Sequence, residues 1–280
     1  MNNNRFAQSS LVWLILIVGA MTAVVTPILR SAAAGGSLCM SRNEAVAQAA
    51  MLYTQDNGDR LPPIMSDLST SCEDSVYLAM LLLPYHGNWM NYRCPDDPDA
   101  VAALRIDACT GGTMRKRFDP ITSSIKAHRG YNVQMLAPMV IVGGETFSAP
   151  ILFSQVADPS NTILFVDSIW NRDPWGNPTG GGNYGVDAPC FKDANGNELR
   201  PFPEGTSSYY WFGGWNPDTP NAWNVHGGCW NWHGGFFVLV TLDGLAKSMT
   251  LRQLAAGCEV LQNSGGSAYD LSAYKWDIVE

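Results

Sequence analysis

The chain has 280 residues, a net charge of −8 and only 15% charged residues, alongside 27 Gly, 17 Pro and 10 Trp. The 250 residues after Arg30 suffice for one large domain or a domain with insertions. The acidic balance argues against nucleic acid as a partner, because Arg115-Lys116-Arg117 is the one basic run and a phosphate backbone calls for a basic face. Low charge with abundant Gly, Pro, Trp and Tyr points to an exported, loop-rich, partly β protein rather than a helical cytosolic one.

Residues 1–5 read as a short leader. Residues 6–29 carry no charged side chain, and Arg5 and Arg30 bracket them. As a helix, Leu11 to Leu29 would span ~28 Å, close to a bilayer core. Three readings of this run stand. It is a signal peptide cut near Ala32-Ala33-Ala34, a plain signal anchor, or the first half of a longer helix that continues into the head. Helical spacing resumes from Leu38, through Ala45/Val46, Ala49 and Leu52/Tyr53, so 30–57 is expected to be an amphipathic helix. Asn57-Gly58 ends it and Pro62-Pro63 prevents it resuming.

Residues 58–280 read as one globular α+β head with an insertion at about 170–230. Thr162 to Val166 and Phe236 to Leu242 are short apolar runs that suit buried strands. Asp243-Gly244 is a hairpin turn pair, and Leu245 to Met249 can return as the partner strand. His233, at the entry to this hairpin, is expected to form a hydrogen-bonded clasp with Asp243. Gly180-Gly181-Gly182 reads as a mobile loop, since no strand–helix signature of a phosphate cradle surrounds it.

Seven cysteines occur: Cys39, Cys72, Cys94, Cys109, Cys190, Cys229 and Cys258. Outside the cytoplasm most would pair, and spacing does not fix the pairing. His226, Cys229 and His233 have a spacing that suits zinc, with a disulfide and ordinary loop histidines as the alternative. Asp193, Asn195, Asn197 and Glu204 occupy positions of a calcium loop, with a hairpin turning at Asn195-Gly196 as the alternative. No other cofactor is expected. Tyr209, Tyr210, Trp211, Trp215, Trp223, Trp230 and Trp232 form an aromatic-rich stretch. It either binds glycan or protein or fills a thin core. No nucleophile-elbow pattern occurs, so an enzyme is not expected.

Five strings resemble one family, the pilin-like proteins with a prepilin-type N-terminus and a C-terminal H-x9-DG element. They are Cys39 to Pro63, Tyr92-Arg-Cys94-Pro-Asp-Asp-Pro98, Arg129-Gly-Tyr131-Asn132, Asp158 to Ser168, and His233 to Gly244. The resemblance implies a pilin-like fold, in which a long N-terminal helix (a transmembrane half and an amphipathic half) packs on an antiparallel sheet. It also implies a subunit of a pilus- or pseudopilus-type filament. Such a subunit is held in the bacterial inner membrane by 6–29 before assembly, then joined to copies of itself in a periplasmic or extracellular filament. Placing Pro27 on the proline of mature pilins makes Phe6 the first mature residue. Arg5 then stands where the processing peptidase takes glycine, and Ser10 where pilins carry glutamate. The alternative reading is a membrane-anchored monomer that binds glycan or protein through its aromatic loops.

Overall fold

The computed structural model describes residues 36–66, 75–99, 109, 119–142, 145–199, 215, 226–260 and 266–278. The expected transmembrane run 6–29 lies outside the described residues, as do Arg5, Phe6, Ser10, Pro27, Cys72, Glu204, Trp211 and Trp223.

Helix α1 covers 36–56. Its buried stripe is Cys39, Asn43, Val46, Ala47, Ala49, Ala50 and Thr54, while Leu38 and Leu52 are exposed. The stripe is therefore rotated from the one hydropathy alone suggests, because two polar residues lie in it. Thr54 turns its hydroxyl back onto the Ala50 carbonyl at 2.8 Å, and Asn43 reaches into the sheet. Gly58 (φ 65°) and Asp59 (φ 68°) break the helix in the left-handed region, at the expected place.

The strands are β1 (Met65–Ser66), β2 (Val76–Tyr77), β3 (Arg129–Asn132), β4 (Met139–Val142), β5 (Glu145–Ser148), β6 (Ile163–Asp167), β7 (Gly185–Val186), β8 (Cys190–Asp193), β9 (Phe237–Thr241), β10 (Ala246–Met249), β11 (Cys258–Glu259) and β12 (Gly266–Ala268). A nine-residue helix α2 (Leu78–His86) follows β2. The central sheet has the order β10-β9-β6-β3-β7. All its neighbours are antiparallel except β3 and β7, which run parallel. Every residue of β6 and β9 is buried. Side chains alternate faces along a strand, so this sheet is covered on both sides, and its strands read as unbroken apolar runs for that reason. The β9–β10 hairpin turns at Asp243-Gly244, with Gly244 at φ 86° and the Asp243 carboxylate accepting from the Thr241 hydroxyl at 2.6 Å.

The α+β content stands, but the pilin-like architecture and the single-pass inner-membrane location are corrected. Among the described residues only α1 and α2 reach seven residues, and no helix is long and apolar enough to cross a membrane. The exposed face of α1 mixes Ser41, Gln48, Gln55 and Asp56 with Leu38 and Leu52. The central sheet is mixed rather than antiparallel throughout.

The glycine triplet is not a mobile loop. Gly180, Gly181 and Gly182 are all buried. The Gly181 amide donates to Asp97 Oδ2 at 2.7 Å and the Gly182 amide to the Lys126 carbonyl at 3.0 Å. A Cβ on Gly182 would lie 2.2 Å from His128 Cα and 2.3 Å from the Ala127 carbonyl oxygen. Both neighbours are backbone and cannot swing away. We expect Gly182→Ala to cost about 3 kcal/mol through overpacking. A urea midpoint that moves by less than the equivalent of ~0.5 kcal/mol would show that the contact is loose.

Candidate functional site

Four side chains from distant segments converge at one end of the central sheet. Cys39 comes from the first turn of α1, Cys94 from the segment after the 3-10 turn Trp89–Tyr92, Asp167 from the last position of β6, and His233 from the turn before β9. One ligand atom from each lies within 4.8 Å of all the others, so the group could hold a metal ion.

Each residue is positioned by a local device. The Cys94–Asp99 segment is gripped through Asp97. Its Oδ2 accepts from Gly181 and faces His128 Nε2 at 2.8 Å, while its Oδ1 accepts from the Asp99 amide at 2.9 Å. The 230–236 segment is stapled to the end of β6. The Trp230 amide donates to the Asp167 carbonyl at 2.8 Å, and Trp232 Nε1 donates to the Ser168 carbonyl at 2.9 Å. Gly234 (φ 62°) and Gly235 (φ 96°) then turn the chain so that His233 folds back toward β6. On α1, Asn43 sits one turn after Cys39 and donates to the Cys39 carbonyl at 3.2 Å and to Asp167 Oδ1 at 3.4 Å.

All the donor atoms lie within 4.8 Å of one another, and four of the separations run in a ring around the cluster. Cys39 Sγ and Cys94 Sγ are 3.6 Å apart, Cys94 Sγ and His233 Nε2 3.6 Å, Cys39 Sγ and Asp167 Oδ2 3.5 Å, and His233 Nε2 and Asp167 Oδ2 3.0 Å. The other imidazole nitrogen, His233 Nδ1, meets Asp96 Oδ2 at 2.7 Å. That carboxylate fixes the ring and turns Nε2 toward the cluster. Arg129, the first residue of β3 and fully buried, closes the other side. Its Nη1 donates to Asp167 Oδ1, its Nη2 to Cys39 Sγ at 3.2 Å, and its Nε to the Asn91 carbonyl at 3.2 Å.

The electrostatics follow from this packing. A hydrogen bond from Cys94, aided by the Arg129 charge, holds the Cys39 thiol below its ordinary range against the opposing effect of burial. Burial and the Cys39 neighbour push the Cys94 thiol up. Burial works against a charged His233, yet bonds to Asp167 and Cys39 outweigh it and raise the imidazole to about 10. Cys39 and His233 are thus both shifted toward their charged forms and Cys94 toward its neutral one.

The zinc trio suggested by local spacing does not assemble. Only His233 joins the cluster. His226 packs against Trp215 and Phe237, at ring separations of 5.7 and 6.1 Å, and the Cys229 thiol is buried and raised. The calcium candidates form a tight turn. Asp193 Oδ1 accepts from the Asn195 and Asn197 amides at 2.8 Å each, and Gly196 sits at φ 84°. Glu204 lies outside the described residues. His233 does not clasp Asp243, whose carboxylate serves its own turn. Of the cysteines, Cys190 pairs with Cys258, Cys109 is disulfide-bonded, and Cys39, Cys94 and Cys229 are free thiols. Trp215 is buried and donates to the Asp187 carbonyl at 2.7 Å, so it belongs to the core.

The five strings singled out in the sequence each supply one residue here: Cys39, Cys94, Arg129, Asp167 and His233. Their convergence was the signal that local spacing could not express. Compared with known proteins, the chain matches no family model, no curated protein and no solved structure.

His226 provides a pH test of the neighbouring packing. Burial, with the Arg172 charge, lowers it to about 4, whereas an unfolded histidine titrates near ~6.5. The unfolded chain thus takes up the proton first. Stability from this group is complete above about pH 6.5 and is lost as pH falls toward 4, by up to about 3 kcal/mol. His226→Asn, which tolerates the φ of 51°, should flatten that slope in urea titrations at pH 7 and 4.5. An unchanged slope would rule out His226 as its source.

Proposed function

We propose that this chain is a non-catalytic structural subunit whose head is organised by one zinc(II) ion, held by Cys39, Cys94, Asp167 and His233. The observation that carries the reading is the spacing of the donors. With zinc–sulfur bonds of about 2.3 Å and zinc–nitrogen or zinc–oxygen bonds of about 2.0 Å, a regular tetrahedron has sulfur–sulfur edges of about 3.8 Å, mixed edges of about 3.5 Å and nitrogen–oxygen edges of about 3.3 Å. The corresponding separations in the protein are 3.6, 3.6 and 3.5, and 3.0 Å. These four edges are within a few tenths of an ångström of what the ion requires, and the remaining two, Cys39–His233 and Cys94–Asp167, lie within 4.8 Å.

The donor chemistry favours zinc over calcium. Two thiolates and an imidazole are soft ligands, whereas calcium takes six or more oxygens. Charge balance is met by a divalent ion. Two thiolates and the Asp167 carboxylate carry three negative charges, and the dication with the Arg129 guanidinium carries three positive ones. Four protein ligands, three at buried positions and His233 half-buried, leave no coordination site open to substrate in a tetrahedral shell, which is the pattern of a structural rather than a catalytic centre. The ion's role is to tie α1, the Cys94 segment and the ends of β6 and β9 together.

The filament role rests on the resemblance to pilin-like proteins. It is supported by the way the five strings each place a residue in one site, which is what a single structural signature would do. On this reading the zinc-tied heads are the repeating units that copies of the chain bring into register.

Metal analysis tests the first part. The chain refolded with zinc should hold one equivalent, and a chelator should lower its melting temperature by several degrees. Cys39→Ser and Cys94→Ser should abolish stoichiometric binding. Asp96→Asn should weaken it by roughly 10- to 100-fold while leaving one site per chain. A chain that is folded, reduced and still free of zinc at saturating metal would remove the proposal. Negative-stain imaging of the concentrated, zinc-loaded chain tests the second part, and particles that stay monomeric under all conditions would count against the filament.

A further inference from the structure

This inference rests on the zinc reading and concerns how that site is controlled. We propose that Cys39 and Cys94 are also a redox-modification site. When the metal is absent, a peroxide-class oxidant joins them in a disulfide that shuts the site to metal until a dithiol reopens it.

The geometry allows both states. The two sulfurs stand 3.6 Å apart and must approach by about 1.5 Å to reach disulfide length, a movement that side-chain rotation can provide. The same sulfurs are separated by what a tetrahedral metal edge needs, so one pair of atoms serves two exclusive bonding patterns. Cys190–Cys258 and Cys109 are disulfide-bonded, so the same chain carries both oxidised cysteines and free thiols. Arg129 Nη2 lies 3.2 Å from Cys39 Sγ and supports a thiolate there, marking Cys39 as the attacking sulfur and Cys94 as the resolving one. Cys39 and Cys94 are buried, but the Asp96 side chain at the edge of the cluster is 26% exposed and offers a small oxidant a way in.

The steps balance. The Cys39 thiolate attacks one oxygen of hydrogen peroxide and the O–O bond breaks. This leaves a sulfenic acid on Cys39 and a hydroxide that takes a proton from solvent. The Cys94 thiol then attacks the Cys39 sulfur, the S–S bond forms, the S–O bond breaks, and the hydroxyl leaves as water with the Cys94 proton. In sum, two thiols lose two electrons and one peroxide becomes two waters. Zinc bound to both sulfurs engages the lone pairs that the first step needs, so the metal guards the pair. The disulfide in turn removes two of the four ligands, leaving Asp167 and His233.

The experiment uses the full chain, reduced and stripped with a chelator, then split into zinc-loaded and metal-free samples. Zinc uptake by the reduced sample is measured first, and no uptake overturns the metal reading itself. Both samples then receive hydrogen peroxide and are examined by intact mass and peptide mapping. The metal-free chain should lose about 2 Da and yield a Cys39–Cys94 cross-linked peptide, and the zinc-loaded chain should do so at least about tenfold more slowly. The cross-linked protein should fail to take up zinc until treated with dithiothreitol, with an unchanged far-ultraviolet spectrum. A chain that binds zinc when reduced but is oxidised to separate sulfinic acids without the cross-link overturns the switch alone. So does a cross-linked chain that still binds zinc.

Discussion

Arg129 and Asp167 form an ion pair with neither side chain exposed to water, and they do so across the first position of β3 and the last position of β6. Burying two charges is costly unless every remaining lone pair and proton is matched. Here the matching comes from the whole neighbourhood. The guanidinium spends its other donors on the Asn91 and Arg93 carbonyls and on Cys39, and the carboxylate's second oxygen faces His233. Helix α1, the 89–94 segment and the turn before β9 are therefore placed where they are because a buried charge needs them. Removing either partner would strand the other without solvent. The proposed metal site would be built on this pair, since Asp167 turns one oxygen to the guanidinium and the other to the cluster.

Much of the fold can be read from local pattern. The strands β6, β9 and β10, the turn at Asp243-Gly244, the hairpin at Asn195-Gly196 and the end of α1 at Gly58 all follow from short-range physics: apolar runs, positive φ and turn chemistry. What fails is informative in each case. The apolar stripe of α1 is misplaced because Asn43 and Thr54 sit in it, and each satisfies its polar atoms in a way hydropathy does not register. The Gly180–Gly182 triplet reads as flexible because glycine permits motion. Its use here is the opposite, with missing side chains letting two backbones touch.

The site itself shows why spacing misleads. The local search for a metal centre finds His226, Cys229 and His233, which are close in sequence but diverge in space. The true cluster joins residues that a β-rich chain can bring together only through its sheet. The five strings contained every member of it, each as an isolated residue. No term in the sequence states that the end of β6 meets the start of α1, because that meeting is fixed by strand order β9-β6-β3 and by the burial of Arg129.

The reach of these ligands along the chain has a kinetic side. Asp167 lies 128 positions from Cys39, and His233 lies 139 from Cys94. Closing loops of that length is slow, and no pair of ligands is local enough to capture an ion tightly before the sheet exists. The cluster is therefore among the last things the chain can complete. Once formed, it certifies that α1, β3, β6 and the β9 hairpin have all found their places. A metal bound there would be less a nucleus for folding than a seal applied to a finished head.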